Sequence, residues 1–258
     1  MLWLKRFITL IFCLFVALPI LWLVYAAFLP AASLSQGDIT QFGFSLKNFA
    51  AASQEGIWQA LRTSLLASSL TVLGQLIIGL MTAYAIRQGF KIFAIILAAM
   101  ALPLEVLMVP LYLQLQLFHL LDSFAVLIIP FLVSPLTIFL LSQAMRRLPQ
   151  EIFESAKLDG ASDLSILWRI VAPLLRPEIL AAGILSFAAH WNLVLYPKIM
   201  ADDPSLYTVQ LFLNNLLRNH PLDWGVLGAA SLIATLPLML IYIFFEERIV
   251  KVFESSFK

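Results

Sequence analysis

The chain has 258 residues, of which 62% are apolar and only 12% are charged, with 16 basic and 15 acidic side chains for a net charge of +1. A soluble domain is roughly 45–50% apolar and about 25% charged, so too little polar surface is left here to cover a globule in water. Composition therefore excludes a soluble enzyme, a disordered chain and a nucleic-acid binder, and a lone Cys13 excludes an internal disulfide framework or a thiolate metal cluster.

What remains is a multi-pass membrane protein. A bilayer core takes about 20 apolar residues as a helix. Phe7–Pro30 is the first such run, 24 residues without a charge, preceded by Lys5 and Arg6 and followed by small residues in Pro30-Ala31-Ala32-Ser33. A cleaved signal has an apolar stretch of only about 7–15 residues, so this longer run is expected to be a retained helix. Thr63–Ile86 follows, then Ile92–Leu113 with Glu105 inside it, and then Ser123–Ala144. Ile179–Pro197, with His190 as its ionisable group, and Gly225–Phe245 complete six candidate spans. Backbone in hydrocarbon must satisfy itself, so each run is expected to be helical. The runs are continuous rather than alternating, which argues against a β-barrel. The expected fold class is an all-α membrane protein with six transmembrane helices.

Lys and Arg set orientation. With the N-terminus inside, 12 of the 16 basic residues fall on the inner side, against Lys47, Arg62, Lys198 and Arg218 outside. Both termini are therefore expected in the cytoplasm, with Ala31–Arg62 and Met200–Trp224 as outer polar stretches and Arg146–Glu178 as an inner one. No Gly-rich phosphate loop is present, so an ATPase site is not expected in this chain.

The inner stretch carries the most information. Pro149 suits a helix start, and Gln150 and Glu151 suit the first turn near the positive end of the dipole. Gly160 is a natural stop, because it tolerates the left-handed conformation after a helix. Ser162 can cap a second helix running to about Val171, with Pro173 favouring its end. The first of these helices sets apolar Ile152, Phe153 and Ala156 beside Glu151, Glu154 and Lys157. Phe153 with small Ser155 and Ala156 suits insertion into a partner's groove, with carboxylates at the rim. The same pattern also suits a helix lying on lipid, and the residues alone leave both readings open.

Glu154-Ser155-Ala156, Asp159-Gly160-Ala161-Ser162, Ile170, Pro173-Leu174 and Arg176-Pro177 together resemble the signature loop of bacterial ABC importer permeases. Ser155 departs from the usual alanine but keeps the residue small. Leu46-Lys47-Asn48-Phe49, Ala83-Tyr84-Ala85, Pro110-Leu111-Tyr112, Trp191-Asn192, Tyr207-Thr208-Val209 and Asp223-Trp224-Gly225 are similar to the carbohydrate branch, in particular the maltose-type second permease subunit. Leu102-Pro103-Leu104-Glu105-Val106 also resembles the glycerol-3-phosphate importer subunit. The tail Val250–Lys258 lacks the glycines usual in the sugar branch.

The resemblance implies an ABC type-1 permease fold in the bacterial inner membrane. It divides the chain into 1–58 (first helix and outer loop), 59–246 (transmembrane domain, with coupling loop 146–177) and a tail at 247–258. The implied partners are a second permease subunit, two ATP-binding subunits that hold the ATP–Mg, an extracytoplasmic solute-binding protein and membrane lipid. No cofactor is expected in this chain. Phe153, Glu154, Ser155, Ala156, Asp159 and Gly160 are the expected contacts to the ATPase. Glu105, His190, Trp191 and Asn192 are candidates for the translocation path: a carboxylate in mid-span faces a bundle or cavity rather than lipid, and Trp191 suits stacking on a sugar. Ordinary packing of Ala182, Gly183, Ser186 and Ala189 against a neighbouring helix competes with the path reading in the fifth span. His119 and His220 are expected in solvent. An ion-coupled secondary transporter is the alternative from another class, but it calls for more intramembrane carboxylates than Glu105.

Overall fold

The computed structural model describes residues 2–29, 44–218 and 222–256. Pro30–Ser33, His220 and the side chains of the atypical tail lie outside the described residues. The chain order is α1 (Leu2–Phe28), α2 (Lys47–Gln54), α3 (Ile57–Arg87), α4 (Phe93–Met100) and α5 (Leu104–Leu117). Two tight 3-10 turns, Phe124–Leu127 and Ile129–Phe131, lead into α6 (Pro135–Arg146) and α7 (Gln150–Leu158). Then come α8 (Asp163–Leu174), α9 (Arg176–Trp191), α10 (Leu195–Met200), α11 (Val209–Arg218) and α12 (Trp224–Ser256). No strand occurs among the described residues.

Three helices are each long and apolar enough to cross a membrane, over Lys5–Phe28, Ile57–Arg87 and Trp224–Phe245. The third and fourth runs differ from the straight helices expected. α4 meets α5 at 104°, and the 3-10 segment meets α6 at 40°. Pro103 explains the first bend: it has no N–H to continue α4 and sits extended, with ψ 142. At the second, Pro135 opens α6, and the Ser134 hydroxyl oxygen accepts from the Thr137 N–H at 3.2 Å. The fifth run also stops short of Pro197: α9 ends at Trp191, and α10 resumes after a three-residue break.

α3 is the central post. Its Ser64, Ser68, Thr71, Gln75, Gly79 and Ala83 recur at helical spacing and are all buried. Leu66, Leu70, Leu73, Ile77 and Met81 on the other side are exposed. Small and polar residues inside with large apolar ones outside suit a helix dissolved in lipid. There, burying apolar surface gains little, and close packing with hydrogen bonds holds helices together. At Gly79 a Cβ would lie 3.1 Å from Leu141 and 3.2 Å from Thr137, so α6 crosses α3 at that point in near contact.

α1 leans on α12 with most of its surface uncovered. A Cβ on Gly228 would sit 3.1 Å from the backbone nitrogen of Ala27, which fixes the crossing. Asn48 on α2 donates from Nδ2 to the carbonyls of Ala27 and Leu29, at 2.9 and 2.7 Å, and so satisfies the open end of α1. Its amide packs on Gly225, where any Cβ would collide with it. This contact gives a physical reason for two of the short sequence matches, Lys47-Asn48 and Trp224-Gly225.

Candidate functional site

Two places concentrate the candidate residues. The first is α7, at the end of the bundle marked by Arg87 and Arg146. It starts one residue later than the sequence suggests, with Pro149 as the residue before the first turn, and stops where the sequence places the end. Pro149 precedes it in extended conformation, and Gly160 follows with φ +80. Gly160 N–H donates to the Lys157 carbonyl and Ala161 N–H to the Ala156 carbonyl, both at 3.0 Å, a Schellman closure. Ser162 caps α8, accepting from the Ser165 N–H at 3.4 Å. α8 passes the expected end near Val171 and runs to Leu174 through Pro173. A π-type stretch at Ile166–Val171 precedes the proline, and the wider turn makes room for a ring that would otherwise strike the Arg169 carbonyl.

The face that α7 presents differs from the one expected. Phe153 and Ala156 are buried in their own chain, among Tyr84, Met145, Ile166 and Leu167. The Arg87 guanidinium lies 5.2 Å over the Phe153 ring and donates to the Leu148 carbonyl and to Gln150 Oε1, at 3.1 and 3.0 Å. These two residues anchor the helix rather than enter a partner. Lys157 does not pair with Glu154: it donates to Gln88 Oε1 at 3.0 Å and lies 3.8 Å from Asp163. Asp163 in turn accepts from the Tyr84 hydroxyl at 2.8 Å. Glu154, Ser155, Asp159 and Gly160 are exposed. Leu158 joins them at 88% exposed, a residue the sequence reading passed over. The usable signal was spacing, because Glu151, Glu154, Ser155 and Leu158 lie on one helical face.

The second place is a cavity of about 410 Å³ where the bent segments converge. Leu104 and Leu107 of α5, Ser134 and Pro135 at the α6 bend, and Ser186 and His190 of α9 are among its walls. Bends free backbone carbonyls, and in hydrocarbon these need donors. Three side chains from distant elements supply them. Tyr196 donates its hydroxyl to the Val126 carbonyl at 2.9 Å, His190 Nε2 bonds the Leu127 carbonyl at 2.9 Å, and Gln75 Nε2 donates to the Phe131 carbonyl at 2.7 Å. A carbonyl only accepts, so the His190 proton sits on Nε2, and Nδ1 accepts from the Ser68 hydroxyl at 3.0 Å. The Thr137 and Ser186 hydroxyls bond each other at 2.8 Å.

The other path candidates are dispersed. Glu105 is in the first turn of α5, beside the bend rather than in mid-helix, and is exposed. Trp191 is not brought to the cavity: it is 1% exposed and stacks on Phe187, 5.4 Å between centroids, in the core with α11 and α12. The sugar-stacking expectation for it is therefore replaced by a packing role. Asn192 donates to the Ala188 carbonyl at 2.7 Å and accepts from Gln210 Nε2 at 3.2 Å, tying the end of α9 to α11. Sequence reasoning missed Ser68, Gln75 and Tyr196. For the first two, the polar stripe along α3 carried the signal.

A helical bundle with three long apolar helices and broken spans has the architecture of a multi-pass membrane protein. The chain belongs to the family described as binding-protein-dependent transport system inner membrane component, which matches residues 75–255. It is 36% identical over 156 residues to the arabinooligosaccharides transport system permease protein AraQ of Bacillus subtilis, covering 60% of this chain and 56% of that one. It is 28% identical over 240 residues to the AraQ of Halalkalibacterium halodurans, covering 89% and 86% of the two chains. The lactose transport system permease protein LacG of Rhizobium radiobacter is 25% identical over 247 residues, covering 93% and 90%. In fold it is similar to a chain of a bacterial ABC transporter involved in the import of the acidic polysaccharide alginate, with TM-score 0.85, 20% identity, and 95% and 94% of the two chains covered.

Proposed function

We propose that this chain is one transmembrane subunit of an ATP-driven, binding-protein-dependent importer of carbohydrate. The sugar-transporting relatives and the family membership support the cargo class. In this reading both termini and α7 face the cytoplasm. α7 docks on an ATP-binding subunit, two of which hold the ATP–Mg, while a second permease subunit completes the path and a solute-binding protein delivers cargo from outside.

The observation that carries the reading is the two-sidedness of α7. One side is fixed to α3 through Phe153, Ala156 and Arg87. The other leaves Glu151, Glu154, Ser155 and Leu158 uncovered. A push on Leu158 and the carboxylates is therefore passed to α3, whose buried stripe reaches Gln75, Ser68 and His190 at the cavity. Asp159 and Gly160 close the helix so that its outer face ends in a defined turn. Glu105 and His190 stand beside or on the route the cargo takes, and Asn192 holds the end of α9.

The test is Leu158→Asp in the assembled importer. Expected are normal membrane insertion, loss of the ATP-binding subunit on co-purification and loss of uptake. Unchanged co-purification and uptake would contradict the proposal.

A further inference from the structure

We propose that the cavity at the bends selects an uncharged, hydroxyl-bearing solute and rejects anions such as phosphorylated polyols or uronates; this rests on the cavity lying on the translocation path. None of its lining residues is charged. Its polar groups are neutral: Gln75, Ser134, Ser186 and His190, the last with Nδ1 acting as acceptor. Such groups exchange hydrogen bonds with hydroxyls. The leucines of α5 and Pro135 suit the apolar faces of a pyranose ring.

Two features of the backbone bear on charge in opposite directions. α5 and α6 both start at the cavity, and each helix start carries roughly half a positive charge. Alone, two such ends would invite an anion. Glu105 sits in the first turn of α5, exposed and outside the cavity lining, where a carboxylate opposes the positive end of the helix. At α6, Pro135 has no N–H to offer and the Thr137 N–H is taken by Ser134, which leaves the Leu136 N–H, a single neutral donor, in the first turn. An anion entering here would leave water for a site without a cation, the arrangement that costs most in a low-dielectric surround. A hydroxyl-bearing solute has no such cost.

The experiment reads the field directly and does not require the natural solute. In the reconstituted importer with Cys13→Ser, Ala189→Cys places a thiol in the cavity wall. It is reacted with 2-hydroxyethyl, 2-(trimethylammonium)ethyl and 2-sulfonatoethyl methanethiosulfonate, each rate being divided by that with a free thiol. The anionic reagent is expected to be at least about ten-fold slower than the neutral one, and Glu105→Gln to remove most of that difference. Equal rates for anionic and neutral reagents would overturn the selectivity. A ten-fold bias that persists in Glu105→Gln would overturn the role given to Glu105. No reaction with any of the three, in any nucleotide state, would mean that water does not reach the cavity. That result would sink the path reading as well, so the two failures are distinguishable.

Discussion

α7 and the cavity solve opposite problems. α7 must stay rigid while showing a bare surface, so it buries Phe153 and Ala156 and closes its own end with backbone hydrogen bonds. The cavity must stay open at bends whose carbonyls would otherwise be stranded, so it draws Tyr196, His190 and Gln75 from three elements to meet them. One region is stabilised by apolar packing at the end of the bundle, where water makes burial count. The other is stabilised by polar contacts at membrane depth, where it does not. Both are fastened to α3, α7 through Phe153 and Arg87 and the cavity through Gln75 and Ser68.

Three substitutions would break or sharpen this contrast. The largest effect is expected from Phe153→Ala, which leaves a cavity under α7 and costs about 3–5 kcal/mol locally. Heating in detergent should show an earlier loss of monodispersity, and limited proteolysis should cut near 150–160. A variant as resistant as the wild type would remove the anchor from the account. Gln75→Leu should cost less, about 1–2 kcal/mol, by stranding the Phe131 carbonyl. Its signature is a lowered thermal midpoint with co-purification of the ATP-binding subunit retained, and loss of that subunit would show that the two regions are not separable. Leu158→Asp should have the smallest effect on stability, within about 0.5 kcal/mol for an exposed site. A thermal midpoint matching the wild type, beside lost assembly, would show that the outer face of α7 serves contact and not folding.

The same contrast explains what was legible in the sequence. α7 is encoded in contiguous residues: Pro149, Gly160 and Ser162 mark its start, its stop and the next cap, and all three act as their local chemistry dictates. The outward side of α7 was carried only by the spacing of Glu151, Glu154, Ser155 and Leu158, whereas the burial of Phe153 and Ala156 in their own chain depends on α3 and α8 lying against them. The cavity joins Gln75 to Phe131 and Ser68 to His190, pairs 56 and 122 residues apart. Pro103 and Pro135 were visible, but a proline in a membrane helix can merely kink it. Before Pro135, the donors waiting across the bundle meet the carbonyls that the break frees. Trp191 shows the limit from the other side: an aromatic in mid-span fits a core and a sugar platform equally well until Phe187 is seen stacked on it.

The central claim is that the exposed face of α7 touches the ATP-binding subunit while the buried face holds the helix to its own chain. A photo-crosslinking residue placed at position 158 of the assembled importer tests it most directly. The account predicts a covalent adduct with the ATP-binding subunit from 158, and none when the same group is placed at Ile152 on the partly buried side. An α7 that yields no adduct from position 158 in any nucleotide state would contradict it.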